Sequence, residues 1–262
     1  MVRVLLSGNE AIARGAYEYG VRLASAYPGT PSTEILETIA EYDGIMSEWA
    51  PNEKVALDVA IGAAYAGARA MAVMKHVGLN VAADAFFYVS MTGTEGSLVI
   101  VSADDPAMHS SQNEQDNRRY CKFARVPCLE PSDSQEAKDL VGVALEISEQ
   151  FDTPVVLRTT TRIAHSHTLV EQCDRLEPRV GNGPLDYRVD LAKYVMVPAH
   201  GIKRHKVVID RLEALKEYAE TTDLNRIEWN DKEVGIVTGS ISYQHVKEAM
   251  PNASVLKLGL GY

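Results

Sequence analysis

An alternation constrains this chain more than any other feature. Up to about residue 161, short apolar runs of β-like character take turns with longer helical stretches. Arg3–Leu6 predicts a first strand, and Asn9–Tyr19 a helix that Gly20 ends. Val21–Ala26 returns as a strand. Pro31, whose fixed φ suits a first helical turn, opens a helix to about Tyr42. Gly44–Trp49 is the next strand, and a helix of small residues begins near Asn52. Further strands are expected at Ala70–Lys75, Ser97–Ser102, Val126–Leu129 and Thr153–Thr160. A helix is expected over 113–123, and another from PSDSQEAKD to about Gln150, with Ser132 or Ser134 as its cap. Strand–helix alternation of this kind predicts an α/β fold of three layers, helices covering both faces of a mostly parallel sheet.

From about Leu169 to Asp231 the pattern breaks, and the segment turns polar. It reads as a linker with one amphipathic helix, Lys206–Thr221, and the basic HGIKRHK stretch at 200–206 reads as a solvated face. A second α/β unit then begins: strand Val234–Thr238, helix Tyr243–Met250, strand Val255–Leu258. The expected division is a first domain over 1–168, a linker over 169–231 and the start of a second open-sheet α/β domain over 232–262. That second unit stops after a strand where a helix normally packs, so it reads as truncated.

Composition narrows the function classes. With 46% hydrophobic residues the chain can bury a sizeable core, and a net charge of −10 argues against nucleic-acid binding, which needs a basic face. Cys121, Cys128 and Cys173 form no CxxC element, so they read as buried structural thiols of a reducing compartment. The apolar run Val55–Met74 contains Asp58, Arg69, Gly62 and Gly67, which fits a soluble helix followed by a strand better than a membrane span. With no signal peptide visible, a cytoplasmic protein without membrane partners is expected.

Common nucleotide and hydrolase signatures are missing: no GxGxxG spacing, no GxxxxGK[ST], no GxSxG. His165 and His167 would share a face on a strand but lack Cys or carboxylate company, so no metal site is expected. Four polar segments remain: Tyr27–Glu34, Trp49–Lys54, Lys75–Asn80 and Ser102–Asp116. Each follows an expected strand and precedes an expected helix. In a parallel sheet all four gather on one edge, where open α/β sheets build their sites.

Those segments carry a resemblance. YPGTPSTE at 27–34 resembles the Tyr-Pro-x-Thr-Pro-Ser motif of the pyruvate:ferredoxin oxidoreductase superfamily, and Glu53 with KVALDVAIGAAYAGARA resembles its glutamate and small-residue helix. MKHVGLNVAAD and VSADDPAMHSSQNEQDNRRY are similar to the indolepyruvate branch, and LEPSDSQEAKD and VVLRTTTRIAHS extend the likeness over most of residues 1–170. GIVTGSISYQHVKEA resembles the start of that subunit's second domain.

The resemblance implies a pyrimidine-type thiamine-diphosphate-binding domain in an alpha subunit. Its activity would be oxidative decarboxylation of an aryl 2-oxoacid such as indolepyruvate, with coenzyme A as acyl acceptor and ferredoxin as electron acceptor. A beta subunit would be its partner in a homo- or hetero-oligomer. The cofactor would be shared with a domain outside this chain. Mg2+ and [4Fe-4S] clusters would belong to the full-length subunit, because neither a GDG…N motif nor a CxxCxxCxxxCP run is present. This stretch alone is expected to be inactive. The alternatives are a non-oxidative thiamine-dependent decarboxylase and a non-catalytic module of the same fold.

By the same resemblance Glu53 is the catalytic acid, holding a proton against the aminopyrimidine ring. Without it, Glu53 is a first-turn glutamate complementing the helix dipole. Tyr27, Pro28, Gly29, Thr30, Gly78 and Leu79 are the candidate cofactor contacts. Thr30, Lys75, His76, His109, Ser110 and Ser111 are the candidate substrate contacts. A loop lysine and a satisfied histidine explain Lys75 and His76 equally well, and a plain capping loop explains 109–113 almost as well. The pyruvate enzymes carry an arginine near Ala103-Asp104-Asp105, and its absence here makes pyruvate an unexpected substrate.

Overall fold

The computed structural model describes residues 2–176 and 187–261. In chain order the elements are β1 (Val2–Ser7), α1 (Gly8–Glu18), β2 (Leu23–Ala26), α2 (Thr33–Ile39), β3 (Met46–Trp49) and α3 (Glu53–Tyr65). There follow β4 (Arg69–Lys75), α4 (His76–Val81), α5 (Ala83–Thr92), β5 (Ser97–Asp104), α6 (Arg118–Ala124), β6 (Cys128–Leu129) and α7 (Ser134–Phe151). Next come β7 (Val155–Thr160), α8 (Thr161–His165), β8 (His167–Gln172), α9 (Leu191–Tyr194) and α10 (Pro198–Thr221). The last are β9 (Asn225–Glu228), β10 (Asp231–Gly239), α11 (Ile241–Ala249), β11 (Ala253–Leu258) and β12 (Leu260–Gly261).

A seven-stranded sheet of order β12-β6-β7-β5-β4-β2-β3 forms the middle layer, parallel except where β12 meets β6. The expected α/β class and mostly parallel sheet are both present. Successive strand residues point to opposite faces, so β4 sends Met71 and Val73 into one core and Ala70, Ala72 and Met74 into the other. The first core is completed by α1, α2 and α7, the second by α3, α5 and α6. Burial on both faces explains why β5 and β7 carry apolar residues at consecutive positions, 98–101 and 155–157: every residue of both strands is buried. At Gly15 a Cβ would lie 2.5 Å from the Lys138 carbonyl, so only glycine lets α1 come this close to α7.

The structure corrects several local expectations. β1 leaves the central sheet and pairs antiparallel with β8 in a two-stranded ribbon, with Val4 opposite Val170. Pro31 stands before α2, which starts at Thr33. The cap of α7 is Asp133, between the two serines, and its carboxylate accepts from the Glu136 amide at 2.9 Å. The helix expected over 113–123 begins only at Arg118. His165 ends α8 while His167 opens β8, so they do not share one strand. Cys121 and Cys128 are buried as expected, but Cys173 is exposed.

The basic stretch at 200–206 is also more than a solvated face. α10 begins at Pro198, and Arg204 reaches the Met91 and Thr92 carbonyls and the Asp152 carboxylate. One turn pair further on, buried Arg211 holds the Ser90 and Asp152 carbonyls. Two arginines thus tie α10 to orphan carbonyls at the end of α5, which helix geometry leaves unpaired. Beyond it, β10, β11 and β9 form a three-stranded sheet with α11, and β12 returns the chain to the edge of the central sheet. The run 55–74 is α3 followed by β4, and no helix among the described residues is long and apolar enough to cross a membrane.

Candidate functional site

Consecutive strands β3 and β4 lie on opposite sides of β2. Beyond the C-terminal strand ends at such a reversal is the position where open α/β sheets bind ligands. Three of the polar segments end there. Asn52, in extended backbone, caps α3 by accepting from the Val55 amide at 3.0 Å. Glu53 follows as the first helical residue and is only 9% exposed. Its side chain runs along Gly78: a Cβ on that glycine would sit 2.6 Å from Glu53 Cγ and 2.7 Å from Oε1. Gly78 is therefore a fixed gap shaped to a carboxylate. Leu79 is buried behind it. Gly78→Ala should push the carboxyl aside and lower kcat/KM of the complete enzyme by about a hundredfold, the scale of a 1 Å misplacement. Steady-state kinetics alongside a thermal melt check this, since the melting point should hardly move.

The 27–33 turn projects Tyr27, Pro28 and Thr30 outward while its backbone is held firmly. The Gly29 amide donates to Thr33 Oγ1 at 2.9 Å, Ser32 Oγ donates to the Gly29 carbonyl at 3.0 Å, and Asn9 Nδ2 donates to the Pro31 carbonyl at 2.7 Å. A Cβ on Gly29 would come within 3.1 Å of Lys75 Cβ, so this turn packs directly on the end of β4.

Lys75 and His76 meet the fourth segment. Lys75 Nζ donates to the Ser110 carbonyl at 2.6 Å. His76 is fully buried, its Nε2 lies 3.1 Å from the Asn113 carbonyl, and its Nδ1 has no partner. All four segments therefore touch. His109 and Ser110 are exposed, while the Ser111 hydroxyl is turned inward, donating to Asp105 at 2.6 Å.

Two residues that organise this loop escaped the sequence reading. Asn117, fully buried, donates to the His76 carbonyl at 3.0 Å and to Ser102 Oγ at 2.8 Å. Asp105 accepts from the His109 and Ser110 amides and from the Ser111 and Thr161 hydroxyls. Burial pulls its pKa up, but these four donors outweigh it and hold the carboxyl well below the usual range. A carboxyl depressed in the folded state stabilises it above the unfolded pKa and loses that contribution as the pH falls towards the folded value. The 105–111 loop should accordingly loosen only below about pH 4. In Asp105→Asn it should exchange its amides faster already at neutral pH, which hydrogen exchange at His109 and Ser110 would report.

Behind the loop sits a buried charge cluster. Asp104 Oδ2 accepts from Arg158 Nε at 2.7 Å and from the Asn117 amide at 3.1 Å. Arg158 also pairs with Glu130, and Arg118 joins through Asp116 at 2.8 Å. Burial pushes the Asp104 pKa up, opposed by the Arg158 guanidinium beside it. The available signal was the lone arginine inside the apolar run VVLRTT, since a charge is buried only with a partner. Among the described residues no group of three or more His, Cys, Asp or Glu side chains is placed to hold a metal ion.

Comparison with known proteins bears on this arrangement. Indolepyruvate oxidoreductase subunit IorA of Pyrococcus abyssi is 47% identical over 98% of this chain and 41% of its own length. Its counterpart from Archaeoglobus fulgidus is 44% identical over 98% of this chain and 42% of its own. The 2-oxoglutarate synthase subunit KorA of Methanothermobacter thermautotrophicus is 30% identical over 68% of this chain and 50% of its own. The chain thus spans about two fifths of the IorA relatives it matches. Among solved structures, a 2-oxoglutarate:ferredoxin oxidoreductase from Magnetococcus marinus, with 2-oxoglutarate, coenzyme A and succinyl-CoA bound, superposes with a TM-score of 0.78. The superposition covers 98% of this chain and 54% of that one at 18% identity, a likeness of fold. A family model described as pyruvate flavodoxin/ferredoxin oxidoreductase, thiamine-diphosphate-binding, matches residues 14–211, and the chain belongs to that family.

Proposed function

We propose that this chain supplies the pyrimidine-side half of a thiamine diphosphate site, with Glu53 as its acid–base residue. One observation carries the reading: a carboxyl group is buried at the sheet's switch point, against a glycine that leaves room for nothing beyond it. The donor set fits the group. A shielded carboxyl can hold a proton against a ring nitrogen, and Gly78 with Leu79 offers backbone and apolar surface to a flat ring. When bound, thiamine diphosphate supplies an acidic carbon that adds to a 2-oxo group and takes up the electrons left by decarboxylation. Glu53 holds the proton, Gly78 and the 27–30 turn orient the ring, and the Asp105-ordered loop limits water.

On this reading Tyr27, Pro28, Gly29 and Thr30 contact the cofactor, and Thr30, Lys75, His109 and Ser110 face the substrate. Lys75 is the natural carboxylate partner, a cation one hydrogen bond from the loop. His76 and Ser111 act from behind, positioning the backbone that substrate meets. Residues 1–168 form the pyrimidine-type domain and 232–262 the beginning of the next, joined by the linker at 169–231. The complete protein would oxidise aryl 2-oxoacids such as indolepyruvate, using coenzyme A and ferredoxin, with a beta subunit. Mg2+ and [4Fe-4S] clusters would be bound by parts outside this chain, and the enzyme would work in the cytoplasm.

The test is an assay of the complete enzyme with its beta subunit. Reduction of ferredoxin should require indolepyruvate, coenzyme A and thiamine diphosphate together. Its kcat/KM for indolepyruvate should exceed that for pyruvate at least about tenfold, the discrimination one missing apolar group gives. Carbon dioxide release without electron transfer, or a preference for pyruvate, would sink the proposal.

A further inference from the structure

α4 carries Gly78, and its own sequence does not hold that glycine in place. It has six residues, Gly78 sits in its middle, and Val77 and Val81 are β-branched. A helix this short is not stable alone in water, and glycine and valine are poor helix formers. Its pitch must be imposed by neighbours. Part of that constraint comes from burial of Leu79 and from Glu53 against Gly78. The rest comes from the 109–117 segment, where the Gln115 side chain spans a full turn of α4.

We propose, resting on the reading of Glu53 as the acid–base residue, that Gln115 is its positioning residue. By clasping the turn that contains Gly78, Gln115 sets the gap into which the carboxyl fits. Its Nε2 lies 3.0 Å from the His76 carbonyl and 2.9 Å from Asn80 Oδ1. Its Oε1 accepts from Asn80 Nδ2 at 3.0 Å. Residues 76 and 80 are about one helical turn apart, and Gly78 is midway between them. Asn80 is steadied in turn by the Tyr120 hydroxyl, which donates to Oδ1 at 2.7 Å. The His76 carbonyl also receives Asn117 Nδ2. Two side chains therefore hold the start of α4, and Gln115 alone ties that start to the last turn.

Side-chain chemistry accounts for the residue type. The clasp needs, at one side-chain end, a donor for two oxygens and an acceptor for Asn80 Nδ2. An amide has both. A glutamate would set its own lone pairs against the His76 carbonyl and Asn80 Oδ1, and a lysine has no acceptor. The gap at Gly78 makes the site sensitive to this grip. A Cβ there would lie 2.6 Å from Glu53 Cγ, so the two groups are in close contact and a small shift of α4 moves the wall beside the carboxyl. The same 109–117 segment carries Ser110, whose carbonyl receives Lys75. Order in the loop on the substrate side is thereby passed to the helix on the cofactor side.

The experiment compares Gln115→Ala, Glu53→Gln and the double variant in the complete enzyme. Gln115→Ala should lower kcat at least about tenfold, part of the roughly hundredfold that a 1 Å misplacement costs. KM for indolepyruvate should hardly change, because the hydrogen bonds of Gln115 run to α4 and Asn117 and not to Lys75 or Ser110. Gln115→Glu keeps the volume and should lose as much. In the Glu53→Gln background Gln115→Ala should cost nothing further, since a residue acting through another is silent once that other is gone. Hydrogen exchange over 76–82 is the readout besides turnover. The Ala82 amide, bonded to the Gly78 carbonyl at 2.9 Å, should exchange faster in Gln115→Ala. Asn80→Ala should do the same, and Asn80 is exposed, so that variant serves should Gln115→Ala disturb folding. Wild-type kcat in Gln115→Ala, a rise in KM alone, an equal loss in the Glu53→Gln background, or unchanged exchange over 76–82 would each overturn the assignment. Full turnover in Glu53→Gln would instead overturn the acid–base reading, and this assignment with it.

Discussion

Glu53→Gln in the complete enzyme is expected to lower kcat at least about a hundredfold, within the range a positioned proton-transfer group contributes. The change is nearly isosteric. The amide keeps the packing against Gly78, and the Asn52 cap on the Val55 amide is untouched. What disappears is the capacity to share a proton with a ring nitrogen. Losing one negative charge beside the α3 N-terminus should cost only about 0.3–1 kcal/mol, so the melting point should fall by a few degrees at most. Because the proton is needed in the reaction and not for substrate docking, kcat and kcat/KM should drop together. A variant that folds normally and turns over at the wild-type rate would remove Glu53 from the mechanism. A rise in KM with kcat unchanged would recast it as a binding residue.

Arg158→Leu should be the most destabilising single change near the site. Arg158 is 6% exposed and Asp104 1%, and the substitution leaves that carboxylate buried without its cation. Breaking a buried pair from one side costs about 3–5 kcal/mol. For a chain of this size that is roughly 6–20 °C in melting temperature. The pH dependence separates this cause from mere loss of packing. Burial already pushes the Asp104 pKa up, and without Arg158 its strongest opponent is gone, leaving mainly the Asn117 amide. A carboxyl whose folded pKa is raised is better tolerated protonated, so the deficit should shrink as the pH falls towards about 4. Asp104→Asn in the same background should recover part of the loss by removing the stranded charge. A deficit that is flat in pH and unrelieved by Asp104→Asn would locate the damage in packing.

The linked behaviour of these residues follows from where they stand. Asp104 ends β5, Asp105 begins the loop and Thr161 opens α8, so the ends of two neighbouring strands organise the loop over His76. Disturbing Arg158 should therefore loosen the 105–111 loop as well as lower stability. Rigid strands presenting mobile, polar ends is the usual division of labour in open sheets.

Periodicity is written into the sequence, and with it came the layers. The apolar runs Ala70–Lys75, Ser97–Ser102 and Thr153–Thr160 could only be buried strands separated by helices, which forces parallel pairing and gathers Glu53, Gly78, the 27–30 turn and the 105–113 loop on one edge. Partner choice is not written there. β1 is as apolar and as short as the strands of the sheet, yet it pairs with β8, because register and neighbour are settled by long-range packing. The same holds for Asp105, Asn117 and the Arg158–Asp104 pair, ordinary polar letters until folding brings their partners from tens of residues away. It holds most sharply for the gap at Gly78, where the meaning of a glycine 25 positions downstream depends on a carboxylate that only the tertiary structure sets against it. Local sequence fixes backbone period through sterics that act over a few residues. Contacts between distant side chains are decided by which faces the fold buries together.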